Sequence, residues 1–111
     1  MKDQRIEQLA ETLINYSIDL KPGENLLIEI TGNETMFVKE LVKQAYKAGG
    51  VPFVSVKNHE ILRVLLTECS EEQIKDMAEF ELARMKKMKA YTGIRAGENV
   101  SELGDVPSDK M

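Results

Sequence analysis

The stretch that decides the fold is NLLIEITGNETMFVKELVKQAYKAGGVPFVSV, residues 25–56. Residues 26–30 form a short apolar run with little alternation, which is typical of a strand buried on both faces of a parallel sheet. From Phe37 onward, apolar residues recur every three or four positions, as on one face of a helix, until Gly49 and Gly50 provide a stop. Residues 51–56 are β-branched and aromatic enough for a second strand. The stretch therefore predicts a βαβ unit with a right-handed crossover.

A helix is predicted before this unit, because apolar residues recur at helical spacing opposite a polar face. The predicted apolar face consists of Ile6, Leu9, Ala10, Leu13, Tyr16 and Leu20. Asp3 is the expected cap of this helix. Pro22 and Gly23 should end it, since proline cannot continue a helix and glycine accepts turn dihedrals.

Three further helix starts are indicated by capping residues. Thr31 with Glu34 has capping-box spacing, Asn58 can cap a short helix, and Ser70 with Gln73 forms another capping box. The buried stripe predicted for the last of these helices is Ile74, Ala78, Leu82 and Met85.

Residues 90–95 should form a third strand, separated from the second by helices. We therefore expect an α/β fold with a small parallel three-stranded sheet in the order 2-1-3, flanked by helices in Rossmann-like layers.

Length and composition restrict the class of protein. The 111 residues, 42% hydrophobic and 31% charged, fit one compact domain spanning residues 1–111. The net charge of -4, with lysines interleaved among acidic residues, argues against nucleic acid as the main partner. With Cys69 as the single cysteine, no intramolecular disulfide or CxxC site can form. No apolar stretch suits a signal peptide or membrane span, so we expect a cytoplasmic protein without a membrane partner.

Few residues suggest chemistry. His59 is the single histidine, whereas a zinc site normally needs three or four ligands, so a structural or solvent-facing role is favoured. Cys69 has no base near it in the sequence and is expected to be a partly buried packing residue. Glu29 lies in a strand, where a carboxylate needs a partner or an exposed end, and an edge position would explain it. We predict no catalytic residue and no metal ligand in this sequence.

One loop is unusual for its combination of residue types at the end of a predicted strand. It contains Gly93, Arg95, Gly97, Glu98 and Asn99. Ligands of open α/β sheets gather at the carboxyl ends of strands. A surface loop in which Arg95 and Glu98 pair is the plainer interpretation. The turn from Thr31 to Glu34 is likewise read as a simple strand-to-helix connection, since an acidic residue there would repel a phosphate.

The order of several short blocks resembles the start of the thermophilic-type aminopeptidases, metallopeptidase family M29. The blocks are KDQRIE at 2–7, Tyr16-Ser17, KPGE at 21–24, AYTGIRAGEN at 90–99 and DVPSDKM at 105–111. The last block has the composition of a helix start, so we expect a longer parent polypeptide.

The resemblance implies a small amino-terminal α/β domain joined to a catalytic domain that binds two divalent metals, zinc or cobalt among them. It also implies peptide substrates, release of amino-terminal residues and homodimers. No metal or catalytic residue can be transferred onto this chain. The loop at Gly93, Arg95, Gly97, Glu98 and Asn99 is then expected to face the catalytic domain or the path of the substrate. The alternatives are a self-standing Rossmann-like ligand-binding module and an interaction domain similar to receiver domains, although no acidic pair follows the first strand to hold magnesium.

Overall fold

The computed structural model describes residues 4–32 and 34–95 of the chain. Its elements are α1 (Gln4–Thr12), a π-helical turn (Leu13–Ser17), β1 (Asn25–Thr31), α2 (Thr35–Lys47), β2 (Val51–Lys57), α3 (His59–Glu68), α4 (Glu71–Lys86) and β3 (Ala90–Arg95). The three strands form one parallel sheet in the order β2-β1-β3, which confirms the predicted fold class and strand order. Within the described residues, no helix is long and apolar enough to cross a membrane.

The central strand β1 is buried on both faces. Leu26, Ile28 and Ile30 point into the main core, where they pack with α1 and α2. Leu27 points the other way and is also buried. A central strand that is covered on both faces has few solvent-exposed positions. Its sequence therefore shows little alternation between apolar and polar residues.

The first helix differs from its prediction. Its regular part ends at Thr12, and the next turn is π-helical, with the Ile18 amide donating to the Leu13 carbonyl at 2.8 Å. The extra residue in this turn changes the angular position of the side chains that follow. Ile14 is therefore fully buried, whereas Tyr16 is 78% exposed. Leu9, which precedes the turn, is also exposed. Leu9 and Tyr16 were wrongly predicted to lie on the buried face, and the predicted cap, Asp3, is outside the described residues.

The predicted helix starts are confirmed for α3 and α4 and wrong for α2. The Asn58 side chain accepts hydrogen bonds from two backbone amides, those of Glu60 and Ile61, and Ser70 Oγ accepts one from the backbone amide of Gln73. Thr31, by contrast, belongs to β1. The residue before α2 is Glu34, which makes no side-chain capping bond. The helix therefore begins three residues later than the capping-box spacing predicted.

The end of α2 follows the prediction. Gly49 has a φ of 85° and its amide donates to the Tyr46 carbonyl at 2.9 Å, while the Gly50 amide donates to the Ala45 carbonyl at the same distance. Only glycine adopts this left-handed conformation without steric cost. The two glycines therefore turn the chain directly into β2.

The buried stripe predicted for α4 is absent. None of its residues is buried, and Ile74, Ala78 and Leu82 are exposed while Met85 is half-buried. The periodicity predicted the helix correctly but not its burial, because the described part of the chain packs no further element against that stripe.

Candidate functional site

The carboxyl ends of the three strands meet at one edge of the sheet. Thr31 is in register with Lys57 on one side and with Arg95 on the other. Side chains in register on neighbouring parallel strands point to the same face. The two cationic residues therefore flank Thr31 at the edge where open α/β sheets place their ligands.

The predicted site loop is described only in part. Gly93 and Arg95 lie in β3, and Arg95 is exposed at its end. Gly97, Glu98 and Asn99 lie outside the described residues. Their predicted role at an interdomain or substrate-access surface stays a prediction.

The structure shows why position 93 is a glycine, which the sequence did not reveal. A Cβ atom built on it would lie 2.9 Å from the hydroxyl oxygen of Tyr91. The tyrosine, two residues earlier on the same strand and the same face, extends across the glycine toward β1. Gly93 thus leaves room for the Tyr91 ring.

Tyr91 reaches a polar cluster centred on Glu29. Its hydroxyl donates to Glu29 Oε1 at 2.7 Å, and Lys57 Nζ lies 2.5 Å from Glu29 Oε2. Glu29 is on the central strand, so the predicted edge position was wrong. The carboxylate is instead accommodated by partners, which was the other possibility for a carboxylate in a strand. One carboxylate links side chains from all three strands.

The electrostatics of the cluster favour an ionised Glu29 and a neutral Tyr91. Burial alone would raise the pKa of Glu29, but the hydrogen bonds from Lys57 and Tyr91, with the positive charges of Lys57 and Arg84, hold it below its usual value. Burial, followed by the hydrogen bond to Glu29 and the negative charge of that carboxylate, raises the pKa of Tyr91 to about 12. Both shifts keep Glu29 ionised and Tyr91 protonated at neutral pH, which are the states that this hydrogen bond requires.

The cluster is suited to holding strands together rather than to proton transfer. Both carboxylate oxygens of Glu29 already have partners, and a tyrosine with a raised pKa is a poor base or nucleophile at neutral pH. Across residues 4–32 and 34–95, no group of three or more His, Cys, Asp or Glu residues could hold a metal ion. His59 is exposed at the first position of α3, and Cys69 is half-buried.

A groove beside α2 was missed by the sequence analysis. It has a volume of about 390 Å³ and lies between α2 and the carboxyl ends of β1 and β2. Its lining residues are Ile30, Gly32, Thr35, Val38, Lys39, Val42, Lys43 and Val56. The spacing of Val38 with Val42, and of Lys39 with Lys43, places each pair on one helix face, but spacing cannot show that a strand lies opposite.

Comparison with known proteins points to one family. The family model of the thermophilic metalloproteases (M29) matches residues 2–111. Among solved structures, wild-type AmpT from Thermus thermophilus is similar, with 27% sequence identity and a TM-score of 0.54 over 62% of this chain. The matched part is 18% of the AmpT chain, so this chain spans less than a fifth of that protein. No curated protein sequence matches significantly.

The family match covers nearly the whole chain. Its range includes the sequence blocks at the two ends of the chain. The chain belongs to the thermophilic metalloprotease family M29.

Proposed function

We propose that this chain is the amino-terminal, non-catalytic domain of a metal-dependent aminopeptidase that removes amino-terminal residues from peptides. The observation that carries the proposal is the family match over residues 2–111. The match to less than a fifth of AmpT supports a longer parent polypeptide. We further propose a cytoplasmic homodimer as its working form.

The described residues do not fit a two-metal centre. Both carboxylate oxygens of Glu29 on the central strand already have partners, Lys57 and Tyr91. Among the described residues, no group of three or more His, Cys, Asp or Glu residues could hold a metal ion. From the family match, we propose that the metal ligands lie elsewhere in the parent polypeptide. There the expected pair of divalent ions, zinc or cobalt, would supply Lewis-acid chemistry and an activated water.

The contribution of this chain would be to bound the path of the substrate or to support the dimer. Arg95 is exposed at the carboxyl edge of the sheet, whereas Lys57 at the same edge is already paired with Glu29. The exposed guanidinium of Arg95 suits contacts with a carboxylate of a second domain or of a peptide. The loop with Gly97, Glu98 and Asn99 continues from this edge in the sequence.

The test compares the 111-residue chain with the polypeptide encoded by its complete reading frame. Hydrolysis of aminoacyl p-nitroanilides and metal content by mass spectrometry are measured for both. We expect turnover and about two metal ions per chain only for the longer protein. Turnover with stoichiometric metal in the 111-residue chain, or an inert and metal-free longer protein, would overturn the proposal.

A further inference from the structure

The groove between α2 and the ends of β1 and β2 combines an apolar floor with a cationic rim. Ile30 and Val56 contribute the strand side, and Val38 and Val42 the helix side. Its volume of about 390 Å³ falls within the range of small-ligand sites, which usually run from about 300 to 1,000 Å³. The groove could therefore accommodate a side chain together with the backbone that carries it.

The floor is accessible on the side of β2, which is the outer strand of the described sheet. On α2, Leu41 is fully buried and Val38 nearly so, whereas Val56 at the end of β2 is 69% exposed. Exposed apolar side chains beside a concavity gain free energy when an apolar group covers them. The floor thus favours a ligand with an apolar part.

The rim carries positive charge although the chain as a whole is acidic, with a net charge of -4. Lys39 and Lys43 are one turn apart on the same face of α2. Lys43 Nζ lies 3.4 Å from Glu40 Oε2, and its side chain remains 53% exposed. Lys39 has no ion pair with any of the residues at 4–32 and 34–95. A carboxylate placed between the two ammonium groups would meet at least one uncompensated charge.

We propose that this groove binds the carboxyl-terminal end of a peptide, with the last side chain on the floor and the α-carboxylate between Lys39 and Lys43. A carboxylate next to an apolar group is the chemistry that matches both features at once. Inorganic phosphate would leave the valine floor uncovered, and a neutral apolar ligand would leave the lysines unused. The choice of a peptide rests on the proposed function, since an aminopeptidase meets peptides with free carboxyl termini both as substrates and as shortened products.

The test is an NMR titration of the 111-residue chain, labelled with ¹⁵N, using alanyl-alanyl-leucine as the probe. We expect saturable shifts at the amides lining the groove, with a dissociation constant of about 1 mM for so small and open a site. Alanyl-alanyl-leucine amide, which lacks the carboxylate, should bind about fivefold more weakly, as expected for loss of an exposed ion pair.

The matched variants lie on α2. Lys39→Met with Lys43→Met should weaken binding of the acid about fivefold, to the affinity of the amide. Lys47→Met changes an exposed lysine one turn farther along the same helix, outside the groove, and should leave binding unchanged. Because all three lysines are exposed, the dispersion of the spectrum should be retained in each variant.

Several results would overturn the inference. These are the absence of saturable shifts up to about 10 mM peptide, shifts confined to another surface, equal affinity for acid and amide, or tighter binding of octanoate than of the peptide. The titration does not depend on peptidase activity. If the groove binds the peptide but the longer protein is inert, only the proposed function is refuted. If the longer protein is active but the groove does not bind the peptide, only this inference is refuted.

Discussion

The hydrogen bond from Tyr91 to Glu29 gives the sharpest test of how the sheet is held together. Tyr91→Phe removes the hydroxyl that lies 2.7 Å from Glu29 Oε1 and changes little else. Hydrogen bonds to charged groups contribute about 1.5–3 kcal/mol. Tyr91 is 49% exposed, so solvent screens the interaction. We expect the free energy of unfolding to fall by about 1 kcal/mol, below that range because water can replace the lost donor.

Urea denaturation followed by circular dichroism measures this loss. For a domain of this size, with a denaturant slope of about 1–3 kcal/mol per M, the midpoint should fall by roughly 0.3–1 M. Tyr46→Phe is the matched control, since Tyr46 is 64% exposed on α2 and its hydroxyl has no hydrogen-bond partner among the described residues. The midpoint of this control should not move.

A double-mutant cycle separates the bond from the rest of the ring. In a Glu29→Gln background the charge is gone, so Tyr91→Phe should cost less than it does in the wild type. An unchanged midpoint for Tyr91→Phe, an equal loss in Tyr46→Phe, or full additivity with Glu29→Gln would refute the idea that this carboxylate ties the strands together.

Four further outcomes follow from the same structure. Gly93→Ala places a Cβ 2.9 Å from the Tyr91 hydroxyl oxygen, so it should displace the ring, lower the urea midpoint as Tyr91→Phe does, and add little to that variant. Asn58→Ala removes a cap worth about 1 kcal/mol, and because α3 has no buried residue, amide hydrogen exchange in α3 should quicken about fivefold while the global midpoint stays nearly constant. The pKa of Glu29 is depressed on folding, so its stabilising contribution is present above the unfolded value near 4.5 and is lost as the pH falls through the folded one. Glu29→Gln should therefore lose less stability than the wild type between about pH 5 and pH 3 in acid titrations. In the longer enzyme, Arg95→Ala should change KM or the dimer equilibrium and leave the metal content intact, and a variant altered only in melting temperature would show Arg95 to be structural.

Much of the fold was predictable because its determinants are local. The apolar run of β1, the glycine pair after α2 and the caps at Asn58 and Ser70 act within a few residues of their own position. Helical connections between consecutive strands then require a parallel sheet. The wrong cap at Thr31 shows the limit of this reasoning, because a spacing of three residues is compatible with a strand that continues through the threonine.

Burial was less predictable than secondary structure. The periodicity of α4 is genuine, yet Ile74 and Leu82 are half exposed in the described structure. A periodic pattern marks the face that gains from burial, but a second element must be present to cover it. At Tyr16 the same reasoning failed for another cause, since one π-helical turn changed which residues face the core.

The sequence by itself therefore determined the elements, their parallel arrangement and the family resemblance, through short-range propensities and the order of its motifs. Only the tertiary structure decided that Glu29 would join Lys57 and Tyr91, because these residues lie on three different strands and meet only when the sheet forms. The same holds for the groove between α2 and β2, whose valines and lysines form a site only once the crossover has placed the helix against the strands.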